Sequence, residues 1–308
     1  MELREGLIES ATFFWSTKHV RIENIVHDLF YENEGANWSL MAWVLSDDIY
    51  KMPMRGWNNT GGFKRLYKIS ASMCRLVVQP CNNFRVLSMT IREALLQHHL
   101  STKFKFVPKI TSMRLIRSGT LTVPIYEVII EMQLLTETLL NWLSRGQDEG
   151  EILAKFIEAV EALCQLKEAG ICHGDIKPDN LMIHDGQIYI IDYGLATLVD
   201  GSEGGCDLFF LSWFVTHRIA QYLPVALVDL FKTQLRVNLE EIPEERLAKI
   251  QCYKDNEYVY LDRPKKNGST AAWTAAYGIE KENLYAIAHR IKPRDCRKFL
   301  QSLTTLFF

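Results

Sequence analysis

A short stretch near the middle of the chain carries the residues best suited to chemistry. Asp175, Lys177 and Asn180 lie on one loop, and Asp192 follows twelve residues after Asn180. The set offers a carboxylate that can orient a hydroxyl and accept its proton, a cation for phosphate, and oxygen ligands of the kind that Mg²⁺ prefers. These groups suit phosphoryl transfer, because that reaction depends mainly on positioning and charge neutralisation.

The segment between Asn180 and Asp192 is expected to fold back on itself. It contains two short apolar runs with Asp185-Gly186 between them, and Asp-Gly in that position is a strong β-hairpin signal. A hairpin over 181–191 returns the chain so that Asp192 faces the same spot as the preceding loop. The alternative is a polar loop and a hairpin whose carboxylates are placed by chance.

The first half of the chain has the pattern of a sheet with one helix. Runs rich in β-branched and aromatic residues predict three strands, and a run with helical spacing lies between the second and third. The strands are predicted at 63–70, 74–79 and 125–132, and the helix at 89–100.

The second half is dominated by helical periodicity. Apolar residues in 151–169 recur at steps of three and four, and Gly170 stands where a helix C′ residue is expected. A sheet followed by helices predicts an α+β protein with two lobes. The predicted division gives residues 1–134 to the first lobe, as an extension (1–50) and the lobe proper (51–134), and residues 135–308 to the helical lobe. The extension is expected to be an extra strand layer or a partner surface, and 279–302 one or two helices.

Composition excludes several classes of protein. The 308 residues are 48% hydrophobic with a net charge of −2, so no basic surface indicates a nucleic-acid partner. No apolar run reaches the roughly 18 residues of a membrane span, and the N-terminus lacks the long apolar core of a signal peptide. The seven cysteines include no C-x-x-C pair, and free thiols suit a reducing interior. We therefore expect a soluble intracellular protein, cytoplasmic or nuclear.

The central motifs carry a family resemblance. Residues 173–180 (HGDIKPDN) and 192–194 (DYG) resemble the catalytic loop H-R-D-x-K-x-x-N and the metal motif D-F-G of the protein kinase superfamily. The resemblance implies a bilobal protein-kinase-like fold that binds ATP with Mg²⁺ and phosphorylates a protein, and the lysine of the loop is similar to that of serine/threonine kinases. The implied roles are catalytic base for Asp175, γ-phosphate contact for Lys177, and Mg²⁺ ligands for Asn180 and Asp192.

The glycine-rich loop of that family is matched only loosely. The best fit is 59–67, in which Gly61 and Gly62 would let backbone N–H groups approach phosphate. Lys64 stands at the third glycine position, a pattern similar to the with-no-lysine kinases, where that residue is the catalytic lysine. The alternatives are a plain β-turn for the glycines and a solvated strand lysine for Lys64.

The usual strand lysine of the family is absent. Its position holds Gln79, which carries no charge. Two interpretations follow: the protein is a pseudokinase, or Lys64 replaces the missing lysine. The expected helical glutamate is Glu93, at a spacing similar to the casein-kinase and vaccinia-related branch, but Thr90-x-x-Glu93 also fits a capping box at a helix start.

Two further features bear on adenine binding and regulation. The backbone of Glu131 to Gln133 resembles the linker that holds adenine, with a buried strand end as the alternative. Gly174 replaces the arginine that reads a phosphorylated activation loop, so activity is expected not to depend on such phosphorylation.

The segment after the metal motif is unusually short. Only fifteen residues separate Asp192 from Asp207, which is expected to begin the helix that anchors the catalytic loop. Similar short segments occur in the small kinase of the tRNA-threonylcarbamoyl complex, RIO kinases and aminoglycoside phosphotransferases.

The motifs together imply a serine/threonine protein kinase as the expected function. The alternatives are a scaffolding pseudokinase and an atypical ATPase or small-molecule kinase.

Overall fold

The structure is a computed structural model whose contacts divide the chain into two compact units. The first contains residues 1–139 and 179–196, and the second contains 140–178 and 197–308. The residues that the structure describes are 2–14, 22–30, 50–51, 64–81, 84–119, 124–198, 206–240 and 296–306.

The first unit is built on a five-stranded sheet of order β1-β4-β5-β3-β2, antiparallel except where β1 pairs with β4. The three predicted strands are confirmed as β2, β3 and β5, whereas β4 was not predicted. A register shift near Ile110 interrupts the alternation that would have revealed it. The strands are β1 (Tyr50–Lys51), β2 (Lys64–Lys68), β3 (Met73–Cys81), β4 (Ile110–Gly119) and β5 (Pro124–Gln133).

Three described helices accompany this sheet: α1 (Glu2–Phe14), α2 (Ile22–Phe30) and α3 (Phe84–Lys103). The helix predicted at 89–100 is confirmed as part of α3, but α3 begins earlier. Thr90 therefore lies buried within the helix, and the capping-box alternative for Thr90 and Glu93 is wrong. The extra strand layer expected before residue 50 is also wrong for α1 and α2, which are helices.

A small second sheet in the same unit contains the predicted hairpin. β8 (Leu181–His184) and β9 (Gln187–Ile190) pair in antiparallel register, and β6 (Glu137–Thr138) extends them. Asp185 and Gly186 both have positive φ, of 48° and 72°, which is what a two-residue turn of this hand requires. The hairpin prediction is thus confirmed.

The described part of the second unit is mainly helical. The long helix α5 (Glu149–Glu168) begins after Asp148, whose carboxylate accepts hydrogen bonds from the N–H groups of Gly150 and Glu151. It ends before Gly170, which has φ 73°. The other elements are α4 (Leu139–Leu143), β7 (Ile171–Cys172), β10 (Thr197–Leu198), α6 (Cys206–Phe214), α7 (Val225–Glu240) and α8 (Cys296–Thr304).

Aromatic rings hold three of these helices together. Phe156 of α5 meets Phe231 of α7 edge-on with ring centroids 5.7 Å apart, and Phe231 lies 5.0 Å from Phe299 of α8. Such pairs contribute beyond the apolar area they bury. None of the helices in the described ranges is both long and apolar enough to cross a bilayer.

Among the cysteines whose side chains the structure describes, one differs from the expectation of free thiols. Cys74, Cys164 and Cys296 are free and buried, but Cys172 is disulfide-bonded. Spacing alone could not predict this, since no pair of cysteines forms a recognisable motif.

Candidate active site

The loop that carries Asp175 is anchored by a buried carboxylate in the second unit. Asp207, 4% exposed, accepts the N–H of His173 at 2.7 Å and the N–H of Gly174 at 2.8 Å. Burial raises the pKa of Asp207, and the charge of His173 and these two N–H donors act in the opposite direction. Asp207 thus lies in the first turn of α6 and fixes the loop backbone, close to the helix start that the sequence predicted.

The side chains of Asp175 and Lys177 meet on this loop. Lys177 Nζ lies 2.5 Å from Asp175 Oδ2, and both side chains are only partly exposed. The N–H of Asp175 donates to Nδ1 of His173 at 3.3 Å, which gives the loop a further internal constraint. The structure therefore places a carboxylate and an ammonium group side by side on this loop.

The first unit holds the two predicted metal ligands close together. The hairpin returns the chain so that the N–H of Ile191 donates to the carbonyl of Asn180 at 3.0 Å, and Asp192 follows directly. Asn180 is 5% exposed, whereas Asp192 is half-buried. Asp192 has φ 67° and ψ 65°, a left-handed conformation that is costly for a residue with a side chain.

The carboxylate of Glu93, on α3, lies beside the turn that contains Gly194. A β-carbon built on Gly194 would lie 3.4 Å from Oε2 of Glu93 and 3.5 Å from Oδ1 of Asp192. Gly194 therefore lets both carboxylates approach the turn that follows Asp192. Glu93 is half-buried here, and its role as the helical glutamate stays a prediction.

The two predicted ligands, Asn180 and Asp192, suit Mg²⁺ better than an ion that the protein would surround with many ligands of its own. The described ranges contain no cluster of three or more His, Cys, Asp or Glu residues able to hold a metal. One carboxylate and one amide oxygen, from Asp192 and Asn180, match an ion that keeps several waters and binds substrate phosphates. The residues present therefore fit Mg²⁺ that arrives with a nucleotide.

The predicted phosphate-binding residues are partly described. Gly61 and Gly62 lie outside the described residues. Lys64 is the first residue of β2 and the Cα partner of Val78 on β3. Gln79 follows Val78, at the point where the pairing of β3 with β5 shifts register.

Glu131, one of the predicted adenine-linker residues, takes part in an ion cluster on the sheet. Its Oε1 accepts from Arg75 at 2.6 Å and from Arg114 at 3.2 Å, and its Oε2 accepts from Ser112 at 3.1 Å. The hydrogen bond from Arg75 lowers the pKa of Glu131. The sequence did not reveal this cluster, because its members come from three strands.

The backbone N–H of Gln133, the other linker residue, already has a hydrogen-bond partner within the protein. Its N–H donates to the carbonyl of Lys109 at 2.9 Å, and its side-chain amide lies 3.4 Å from the Tyr189 hydroxyl. Adenine recognition by the backbone of Glu131 to Gln133 remains a prediction.

The fold of each unit and these motifs define the class of protein. A sheet with one long helix beside a D-x-G turn and a catalytic loop anchored by a buried aspartate are features of protein kinases. Residues 88–223 match the family model of the protein kinase domain. Over this part, which is less than half of the chain, the protein is similar to the protein kinase superfamily.

Curated relatives come from several branches. The chain is 31% identical over 88 residues to "KEOPS complex subunit Bud32" of Pyrococcus abyssi, covering 28% of this chain and 40% of that protein. It is 30% identical over 103 residues to mitogen-activated protein kinase kinase 10 of Arabidopsis thaliana, covering 32% and 34%. It is 36% identical over 91 residues to a probable bifunctional tRNA threonylcarbamoyladenosine biosynthesis protein of Methanoculleus marisnigri, covering 26% and 17%. The chain thus spans less than half the length of each of these relatives.

Proposed function

We propose that the protein is an ATP-dependent phosphotransferase that moves the γ-phosphoryl group of ATP to the hydroxyl of a serine or threonine in a protein. The observation that carries the proposal is the pair Asp175–Lys177, held 2.5 Å apart on a loop that buried Asp207 anchors. A scaffold without chemistry has no need of a carboxylate and an ammonium group fixed in this way.

Each side chain has a distinct role in this proposal. Asp175 orients the acceptor hydroxyl and takes its proton, and Lys177 neutralises charge on the phosphoryl group being transferred. Asn180 and Asp192 would hold Mg²⁺, which supplies charge neutralisation to the nucleotide phosphates when it is bound. The left-handed backbone of Asp192 is the kind of strain found where a functional side chain must be aimed.

We assign the second phosphate-binding cation to Lys64. The backbone of Lys64, the first residue of β2, lies directly across from Val78 on β3. Val78 immediately precedes Gln79, so Lys64 begins its strand next to the position that holds the lysine in the family. This adjacency supports Lys64 as the replacement for that lysine. Gly61 and Gly62, just before it, would approach the phosphates, and the linker around Glu131 and Gln133 would bind adenine.

A second candidate is phosphoryl transfer to a small molecule or to water. The fifteen-residue segment from Asp192 to Asp207 favours it, because a short segment leaves little surface for docking a peptide. A pseudokinase, favoured by Gln79 alone, is the third possibility.

The deciding experiment follows the γ-phosphate of labelled ATP in the presence of Mg²⁺. Wild type, Asp175→Asn and Asp192→Asn are compared with generic protein acceptors and with the protein itself as acceptor. The matched control is Asp179→Asn, an exposed carboxylate on the same loop. Label that reaches serine or threonine, is lost in the first two variants and persists in the control supports the proposal. Mutant-sensitive release of phosphate without labelled protein supports the second candidate, and ATP binding with neither outcome supports the pseudokinase.

A further inference from the structure

The N-terminal helix α1 is fitted against α3 with almost no clearance. Leu7 and Ala11 are completely buried. A β-carbon built on Gly6 would lie 2.0 Å from Cε1 of His99, a residue that is itself 2% exposed. A side chain larger than hydrogen fits at position 6 only if the His99 ring shifts or the two helices move apart.

The neighbouring residue of α3, His98, also contacts α1. Its Nδ1 lies 3.1 Å from the Ser10 hydroxyl, the ring of Phe13 stacks on it at 4.6 Å, and Phe14 meets it edge-on at 4.7 Å. These are specific contacts of one hydroxyl and two rings with one imidazole. They fix both the position of α1 along α3 and the distance between the two helices.

The second N-terminal helix contacts α3 beside Glu93. The guanidinium of Arg92 lies over the ring of Phe30 of α2, 5.2 Å from its centroid. Arg92 directly precedes Glu93, and His98 follows Glu93 by five residues, about 7.5 Å along the helix. The contacts of α1 and α2 therefore flank Glu93, whose carboxylate reaches the turn at Gly194.

We propose that α1 and α2 form a built-in brace that fixes α3, keeps Glu93 beside the Asp192–Gly194 turn, and thereby sets the rate of phosphoryl transfer. A helix that carries a site residue must be held within a fraction of an ångström, which packing on its outer side achieves. The brace is independent of phosphorylation, consistent with Gly174 in place of the phosphate-reading arginine. The inference rests on the proposed function for its activity readout.

The test variant is Gly6→Ala in the full chain. Alanine favours a helix over glycine, so α1 itself is not weakened, while the added methyl group pushes against His99. The matched control is Glu5→Ala, at the neighbouring exposed position. Two quantities are measured: amide hydrogen exchange of 84–103, and kcat with KM for ATP.

The brace predicts faster exchange along α3 and a kcat lowered roughly fivefold or more in Gly6→Ala, with a smaller change in KM and with Glu5→Ala like wild type. Combining Gly6→Ala with His99→Ala removes the clash, so the added methyl group should then have little further effect. Ser10→Ala, which deletes only the hydroxyl contact to His98, should change both quantities in the same direction but less.

Gly6→Ala with exchange and kcat both within twofold of wild type would overturn the brace. Unchanged kcat with faster exchange of α3 would also overturn it, because the rate would then not depend on the packing. If wild type transfers no phosphate at all, the proposed function fails. In that case exchange alone decides whether α1 fixes α3, so the two failures remain distinguishable.

Discussion

Oδ2 of Asp207 accepts the backbone N–H of His173 at 2.7 Å, although 34 residues separate the two in the sequence. This contact, with the second one to Gly174, ties the loop of Asp175 to the first turn of α6. We expect Asp207→Asn to lose at least one of the two bonds, because an amide presents a single oxygen. The variant should lose about 1–3 kcal/mol of unfolding free energy and most of its kcat.

Denaturant unfolding and steady-state kinetics check this prediction. Asp229→Asn is the control, since Asp229 is exposed on α7 and pairs only with Lys232 among its described contacts. An Asp207→Asn protein with normal kcat would show that the anchor has no part in positioning Asp175.

A second prediction concerns Gly174, which has φ 75°. A side chain in this left-handed region costs about 1–2 kcal/mol, so Gly174→Ala should destabilise the protein by that amount. Gly186→Ala is a close control, because Gly186 has φ 72° and open space around its Cβ position. Both variants should lose similar stability, measured by denaturant unfolding, but only Gly174→Ala should lose kcat. Equal kcat in the two variants would contradict a catalytic loop at Gly174.

The assignment of Lys64 predicts that Lys64→Met lowers kcat by roughly 10²–10³, the effect of removing one group that stabilises transition-state charge. Lys68→Met, at the exposed far end of β2, is the control and should keep its activity. The measurement is single-turnover transfer at saturating ATP. Near-normal transfer by Lys64→Met would reject the assignment.

The contact between α1 and α3 predicts a dependence of stability on pH. Burial lowers the pKa of His98 below its usual value of 6.5, and the described contacts of the ring, Ser10, Phe13 and Phe14, carry no charge. The unfolded chain therefore binds a proton at higher pH than the folded chain does. The stability contributed by His98 is complete above about pH 6.5 and declines as the pH falls through the lowered folded pKa.

Unfolding free energies measured from pH 8 to pH 5 check this sign. His98→Gln should give a flatter profile than wild type. A wild-type slope that survives in His98→Gln would assign the pH dependence to other groups.

Local signals predicted those features that depend on neighbouring residues. Asp185-Gly186 specified a two-residue turn, and Gly170 specified the end of α5, because in each case a left-handed backbone is needed at one position. Asp207 could be identified only through the family resemblance, since nothing near it in the sequence shows that it binds His173.

Contacts between distant segments were not predictable. The cluster of Glu131 with Arg75 and Arg114 joins three strands, so it depends on a register that the sequence does not display. The fit of Gly6 to His99 depends on how two helices pack, and a glycine within a helix normally indicates only a weak helix. The apparent capping box at Thr90 failed for a similar reason, because α3 continues beyond the local signal.

The most direct test of the central claim compares nucleotide binding with chemistry in Asp175→Asn. The measurement pairs the Kd for ATP in the presence of Mg²⁺ with the single-turnover rate of γ-phosphoryl transfer. If Asp175 is the catalytic base, the Kd should stay close to wild type while the rate falls by roughly 10²–10⁴. A variant that transfers phosphate at the wild-type rate would contradict the account.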